Sequence, residues 1–179
     1  MKELSLHLLD IAQNSVAAGA TALELSLVQH GGVLTMTVAD NGKGMTAEFL
    51  ANVMDPFTTT RTTRKVGMGI PLFRMAAELT GGALTIQSAP GVGTTTSAVF
   101  HTDHIDCPPM GDLAGTLALF LQGAPPTLEI RFLHETDRGR FELDTRQLRA
   151  LLEGVPLSTP EVALWLRDYI GENEAALIS

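Results

Sequence analysis

The sequence predicts an α+β sandwich, with helices on one face of a mainly antiparallel sheet, and three observations lead there. Residues 3–18 carry apolar side chains at Leu4, Leu8, Ile11, Ala12 and Val16, close to helical spacing. Segments 22–28, 33–39, 83–88 and 94–100 alternate apolar and polar residues, as half-buried strands do. Glycine clusters at Gly31-Gly32, Gly81-Gly82 and Gly91-Val92-Gly93 separate these runs where turns are required.

Taken in order, the first helix ends at Gly19 and the strand pair 22–28 and 33–39 is joined by a Gly31-Gly32 hairpin. Thr46 is placed to cap a short helix reaching Met54, with Glu48 near its positive end. The segment Asp55 to Lys65 is threonine-rich and aperiodic and reads as a loop. Helical spacing returns from Ile70 to Leu79, with Pro71 in the first turn, where proline is tolerated. A second strand pair, 83–88 and 94–100, follows. His101 to Pro109 breaks the pattern with two prolines, so a boundary is placed there: residues 1–101 form one unit and 102–179 a small C-terminal α+β appendage. Within the appendage, helices are predicted at 110–122, 145–152 and 159–177, with a hairpin formed by 127–133 and 139–144. The last helix carries Val162, Leu164, Trp165, Leu166, Tyr169 and Ile170. This stripe either packs on the hairpin or offers a protein partner a groove, and a homodimer is open to it.

Composition narrows the function. At 45% hydrophobic residues the 179-residue chain can build a core, but at 5% aromatic that core must be aliphatic. A net charge of −8 argues against broad binding to nucleic acid or anionic membrane surfaces. Cys107 is the single cysteine, so no internal disulfide forms. No apolar run reaches membrane-spanning length, and a cytoplasmic chain without membrane insertion is expected.

Three groups of residues carry chemistry. Asp10 and Asn14 lie four apart on a predicted helix and share a face, where a carboxylate and an amide oxygen can hold Mg²⁺ or its waters. An exposed polar helix face would look the same. Asp40 ends a strand and is followed by Asn41-Gly42-Lys43-Gly44-Met45; its carboxylate can accept from an exocyclic amine such as adenine N6, and the glycines let a base approach the backbone. Alone, this hexapeptide is also a plain glycine-rich turn. Gly67-Met68-Gly69 precedes a helix whose N-terminal N–H groups attract phosphate, and Arg61, Arg64 and Lys65 supply positive charge nearby. No GxxxxGK[ST] P-loop, Rossmann fingerprint or Gly-x-Ser-x-Gly occurs. His7, three before Asp10, is a poor phosphoacceptor because no acidic residue directly follows it.

In this order and spacing the groups resemble the GHKL superfamily of gyrase-type, Hsp-ninety-type, histidine kinase and MutL ATPases, over roughly residues 3–101. Asp10 to Ser15 with Gly19-Ala20 resembles the N box, and Asp40 to Met45 the first glycine box. Asp55-Pro56-Phe57-Thr58-Thr59-Thr60 is similar to the phenylalanine box of bacterial sensor histidine kinases. Val66 to Leu72 is similar to the second glycine box, and Gly81 to Thr95 to the closing hairpin. The resemblance implies a Bergerat fold that binds ATP with Mg²⁺. Asn14 would be the metal ligand, with Asp10 acting on a water or, through one, on the metal. Asp40 would anchor adenine, with Gly42 and Gly44 walling it and Thr94 supporting the contact. Residues 56–69 would form a lid, with Thr59, Arg64, Lys65, Gly67, Met68 and Gly69 facing nucleotide and Met45 lining the pocket.

There are departures from that pattern. Asp10 is one methylene shorter than the glutamate of the hydrolysing branches, and Lys65-Val66 stands where the second glycine box commonly starts with another glycine. Ala17 replaces the aspartate of MutL-like proteins. The N box begins about ten residues from Met1, so no phosphoacceptor helix is expected ahead of it, and no gyrase-like transducer is expected after it. The expected function is a stand-alone kinase module transferring γ-phosphate to a partner protein in signal transduction. An ATP-hydrolysing conformational switch and a non-catalytic ATP sensor are the alternatives.

Overall fold

The structure, a computed structural model, describes residues 2–54 and 69–178. Among the described residues the predicted order of helices and strands is present; the predicted loop Asp55 to Lys65 lies outside them. Helix α1 (Leu4–Ala17) precedes the hairpin of β1 (Ala22–His30) and β2 (Val33–Asp40). Helix α2 (Ala47–Val53) follows, its N-terminus capped by Thr46, whose hydroxyl accepts from Phe49 N. Helix α3 (Gly69–Leu79) leads into β3 (Ala83–Ala89) and β4 (Gly93–His101). The C-terminal part adds α4 (Leu113–Gly123), the hairpin of β5 (Glu129–Thr136) and β6 (Gly139–Asp144), α5 (Thr145–Leu152) and α6 (Pro160–Ile178).

These strands form one six-stranded sheet in the order β3-β4-β2-β1-β5-β6. Every neighbouring pair is antiparallel except β1 and β5, which run parallel. The architecture is therefore α+β with a mixed, mostly antiparallel sheet, as predicted. The alternation decides which face is covered. Leu23, Leu25 and Leu27 of β1, Leu34, Met36 and Val38 of β2, and Ile130 and Phe132 of β5 are buried beneath the helices. Their neighbours Glu24, Ser26, Thr37, Ser97 and Arg131 point to the opposite face and are half or fully exposed.

The C-terminal hairpin extends the sheet rather than forming one of its own. Leu23 pairs with Ile130 and Leu25 with Phe132, so its buried side chains continue the same apolar layer. At the far end, the His30 ring nitrogens contact Asp137 at 2.7 Å and Glu135 at 2.8 Å, and these carboxylates hold the imidazolium above its usual range, Asp137 most strongly. Helix α6 turns Val162, Leu166 and Ile170 inward onto α4 and the hairpin, whereas Leu164 and Trp165 face solvent. The buried His134 of β5 fastens this helix by donating from Nδ1 to Glu174 at 2.7 Å.

The same C-terminal part grips α1. Leu4 N–H donates to Pro109 O at 2.9 Å and Ser5 N–H to Met110 O at 3.0 Å, so carbonyls of a remote strap satisfy N–H groups that a helix start leaves open.

Candidate functional site

Helix α1 and the ends of β2, β3 and β4 converge on Asp40. Its Oδ2 accepts from the Ser15 hydroxyl at 2.6 Å and its Oδ1 from Gly42 N–H at 2.8 Å. Ser15 is buried, so the carboxylate is fixed from below by the helix and from the side by its own loop. The following loop is equally tied down. Asn41 Oδ1 accepts from the N–H groups of Thr21 and Ala22 at 2.8 and 2.9 Å, and Lys43 N–H donates to Ala18 O at 2.9 Å. Ser88 is the second hub: its hydroxyl accepts from Met45 N–H at 2.8 Å, donates to Gly93 O at 3.1 Å and lies 2.8 Å from the Thr94 hydroxyl. Thr94 sits directly opposite Asp40 across β2 and β4.

The glycines in this loop have neighbours that the sequence did not reveal. A Cβ on Gly42 would lie 2.7 Å from the Ala18 Cβ, and one on Gly44 would lie 2.0 Å from Ala89 O. Both positions are closed by the protein itself, Gly42 against the end of α1 and Gly44 against the turn after β3.

A second convergence lies further along α1. Asp10 and Asn14 share one face, and an ideal Cβ on Gly69, the first residue of α3, would be 3.5 Å from Asp10 Cβ and 4.0 Å from Asn14 Nδ2. The first turn of α3 therefore abuts the acidic and amide side chains of the N box. Asp10 is partly exposed and pairs with the Lys2 ammonium. Since Ser15 follows Asn14 directly, α1 carries both convergences.

His7 is buried one turn before Asp10, with its ring stacked on Phe73 of α3 at 5.3 Å. Its Nδ1 has no hydrogen-bond partner among the described residues. Burial, assisted by the Lys2 charge and opposed by Asp10, lowers its pKa to about 4. The ring is neutral at pH 7 and enclosed, which suits packing rather than phosphate acceptance. Because the unfolded chain binds this proton near pH 6.5, the contribution of His7 is fully present above that value. It is lost as pH falls toward 4. His7→Phe is expected to reduce the stability difference between pH 7 and pH 4.5, measured by urea denaturation, by roughly 2–3 kcal/mol.

Of the predicted site residues, the structure assembles Asp40, Gly42, Gly44, Met45 and Thr94 at one end of α1, and Asp10, Asn14 and Gly69 along it. Thr59, Arg64, Lys65, Gly67 and Met68 lie outside the described residues, as does the phenylalanine box. Sequence reasoning assigned no role to Ser15, Ser88 or Lys2. Ser15 had a usable signal, since it directly follows the N-box asparagine; the other two did not.

A helix, a glycine-rich turn and an acidic strand end thus meet at one edge of an α+β sheet. Residues 2–104, more than half of the chain, match the family described as histidine kinase-, DNA gyrase B- and HSP90-like ATPase, and the chain belongs to that family. This part is its ATP-binding domain. The histidine protein kinase DivJ of Caulobacter vibrioides is 33% identical over 103 residues, covering 54% of this chain and 17% of that protein. The DNA mismatch repair protein MutL of Halobacterium salinarum is 34% identical over 116 residues, covering 60% of this chain and 18% of its own length. The chain thus spans less than a fifth of these relatives. In structure, it is similar to the N-terminal domain of a DNA repair protein, with a TM-score of 0.53 at 12% identity, over 80% of this chain and 52% of the other, a likeness of fold. Among the described residues no helix is long and apolar enough to cross a membrane.

Proposed function

We propose that this protein binds Mg-ATP and transfers the γ-phosphate to a nucleophile on a partner protein. The observation that carries the nucleotide reading is the fixed Asp40 carboxylate, held by Ser15 and Gly42 with Thr94 opposite. In this reading Asp40 accepts a hydrogen bond from the adenine amine, and Gly42, Gly44 and Met45 shape the floor. The N-terminal N–H groups of α3 receive phosphate oxygens, with Thr59, Arg64, Lys65, Gly67 and Met68 completing the lid.

Among the described residues no group of three or more His, Cys, Asp or Glu side chains could hold a metal by itself. Magnesium takes one or two protein oxygens and leaves its other positions to phosphate and water. Asn14, next to the start of α3, would be the direct ligand, and Asp10 would act through a water. Bound there, the ion would neutralise charge on the transferring phosphoryl group. The acceptor oxygen or nitrogen of the partner forms the new bond to phosphorus as the bond to the β-phosphate oxygen breaks, leaving ADP.

Transfer is favoured over hydrolysis because Asp10, the residue placed to activate water, is short and already engaged by Lys2. We assign nucleotide binding to residues 1–101 and read 102–179 as an accessory part that serves the partner or a homodimer, in a signalling role within the cytoplasm. Incubation with γ-labelled ATP tests the transfer: label should move to another protein when extract of the source organism is added, with little phosphate released without it. Asn14→Ala should abolish that transfer and remove most of the Mg²⁺ dependence of nucleotide affinity in calorimetry. Phosphate release at the same rate with and without extract would favour the ATPase switch. Tight binding with neither would favour a sensor.

A further inference from the structure

The Lys2–Asp10 ion pair is a contact that the family assignment does not require. Lys2 stands just before α1 and is not loosely attached. Its neighbour Glu3 packs its carboxylate against Gly111, and the next two backbone N–H groups are held by Pro109 O and Met110 O. The strap from the C-terminal part thus fixes where the lysine emerges. From there its ammonium reaches across two turns of α1 to Asp10 Oδ2. Asp10 in turn lies against Gly69 at the start of α3, where the phosphates end in the proposed reading.

From this geometry we infer that Lys2 is a positioning residue that occupies the Asp10 carboxylate and restrains ATP hydrolysis, so that bound ATP is kept for transfer. The inference rests on the Mg-ATP reading above. In hydrolysis a water oxygen bonds to the γ-phosphorus while the bond to the β-phosphate oxygen breaks. The water proton passes to Asp10, and ADP and phosphate leave. A general base must be in hydrogen-bond contact with the proton it removes. The Lys2 ammonium, a donor only, takes Oδ2 and ties the carboxylate toward the start of α1, so that neither oxygen is free to turn to a water at the γ-phosphate. Removing the ammonium exposes Oδ2 to the water near the γ-phosphate. Arginine at the same position restores a donor-only cation on a stem of similar reach.

Three variants and two measurements test this. Phosphate release without any partner protein is expected to rise at least about fivefold in Lys2→Met. Lys2→Arg is expected to stay slow. The double variant Lys2→Met/Asp10→Asn is expected to return to the slow rate, because the new activity runs through the freed carboxylate. Calorimetry with a non-hydrolysable ATP analogue is expected to give affinities within about twofold of wild type for both single variants. An unchanged release rate in Lys2→Met, or an increase that survives Asp10→Asn, would overturn the inference. So would an affinity loss of more than about tenfold in Lys2→Met, which would make the lysine a phosphate ligand. If the wild-type protein binds no nucleotide, the Mg-ATP reading falls and this inference with it. Intact binding with no change in hydrolysis overturns the lysine role alone.

Discussion

Asp40→Asn is expected to weaken ATP and ADP binding by at least about 100-fold while leaving the fold in place. The carboxylate has two protein contacts, and asparagine can keep both. Its amide oxygen accepts from Gly42 N–H, and its NH₂ group donates to the Ser15 hydroxyl, which rotates to accept instead of donate. What it cannot keep is the charge that meets the adenine amine in the proposed reading. A hydrogen bond to a charged group contributes about 1.5–3 kcal/mol, and a 100-fold change corresponds to about 2.7 kcal/mol. Asp40→Ala behaves differently: it also strands the buried Ser15 hydroxyl and should lower stability by about 1–3 kcal/mol. Calorimetry beside urea denaturation separates the two effects. An Asp40→Asn protein that binds ADP within about threefold of wild type would remove Asp40 from the adenine contact.

Much of this fold can be read from periodicity, because most strands bury one face only. Alternation over 22–28 and 127–133 marks the strands, and the glycine clusters end them near where hydrogen bonding stops. Pairing between distant segments leaves no such local trace. Nothing in 127–133 says that it will lie parallel to β1, because the pairing is decided by Ile130 and Phe132 joining the apolar layer beside Leu23 and Leu25. The site divides in the same way. Asp10, Asn14 and Asp40 are legible because helix spacing and a strand end limit where each can point. Ser88 and Lys2 are not, since each meets its partner through tertiary packing alone. The glycines of the first turn are legible as glycines, and the structure adds a reason for them that the sequence does not carry. Gly42 and Gly44 make room for Ala18 and Ala89, whatever else they make room for. The apolar stripe of α6 was read as one surface, yet its members divide between inward Leu166 and Ile170 and outward Leu164 and Trp165.

Gly44→Ala is the substitution expected to do most damage to both stability and binding. Gly44 has φ +72°, a left-handed conformation that costs an L-residue roughly 1–2 kcal/mol. The added methyl would also stand 2.0 Å from Ala89 O, a backbone atom that cannot rotate aside. Relief requires the turn after β3 to move. That turn is bound to the loop by Gly91 N–H to Lys43 O at 2.7 Å and by Met45 N–H to Ser88 Oγ at 2.8 Å. Separating them breaks hydrogen bonds each worth about 1 kcal/mol. The combined loss is expected to reach at least about 3 kcal/mol in urea denaturation. The same shift pulls Thr94 away from Asp40, so nucleotide affinity should fall with stability. Gly91→Ala is the matched control. Its φ is +75°, but a Cβ there meets nothing within 4 Å. It should lose only the conformational part, about 1–2 kcal/mol, and bind nucleotide as wild type does. Equal destabilisation in the two variants would mean that the turn yields freely to the Gly44 methyl, and that closure of this loop by Ala89 does not hold the pocket in shape.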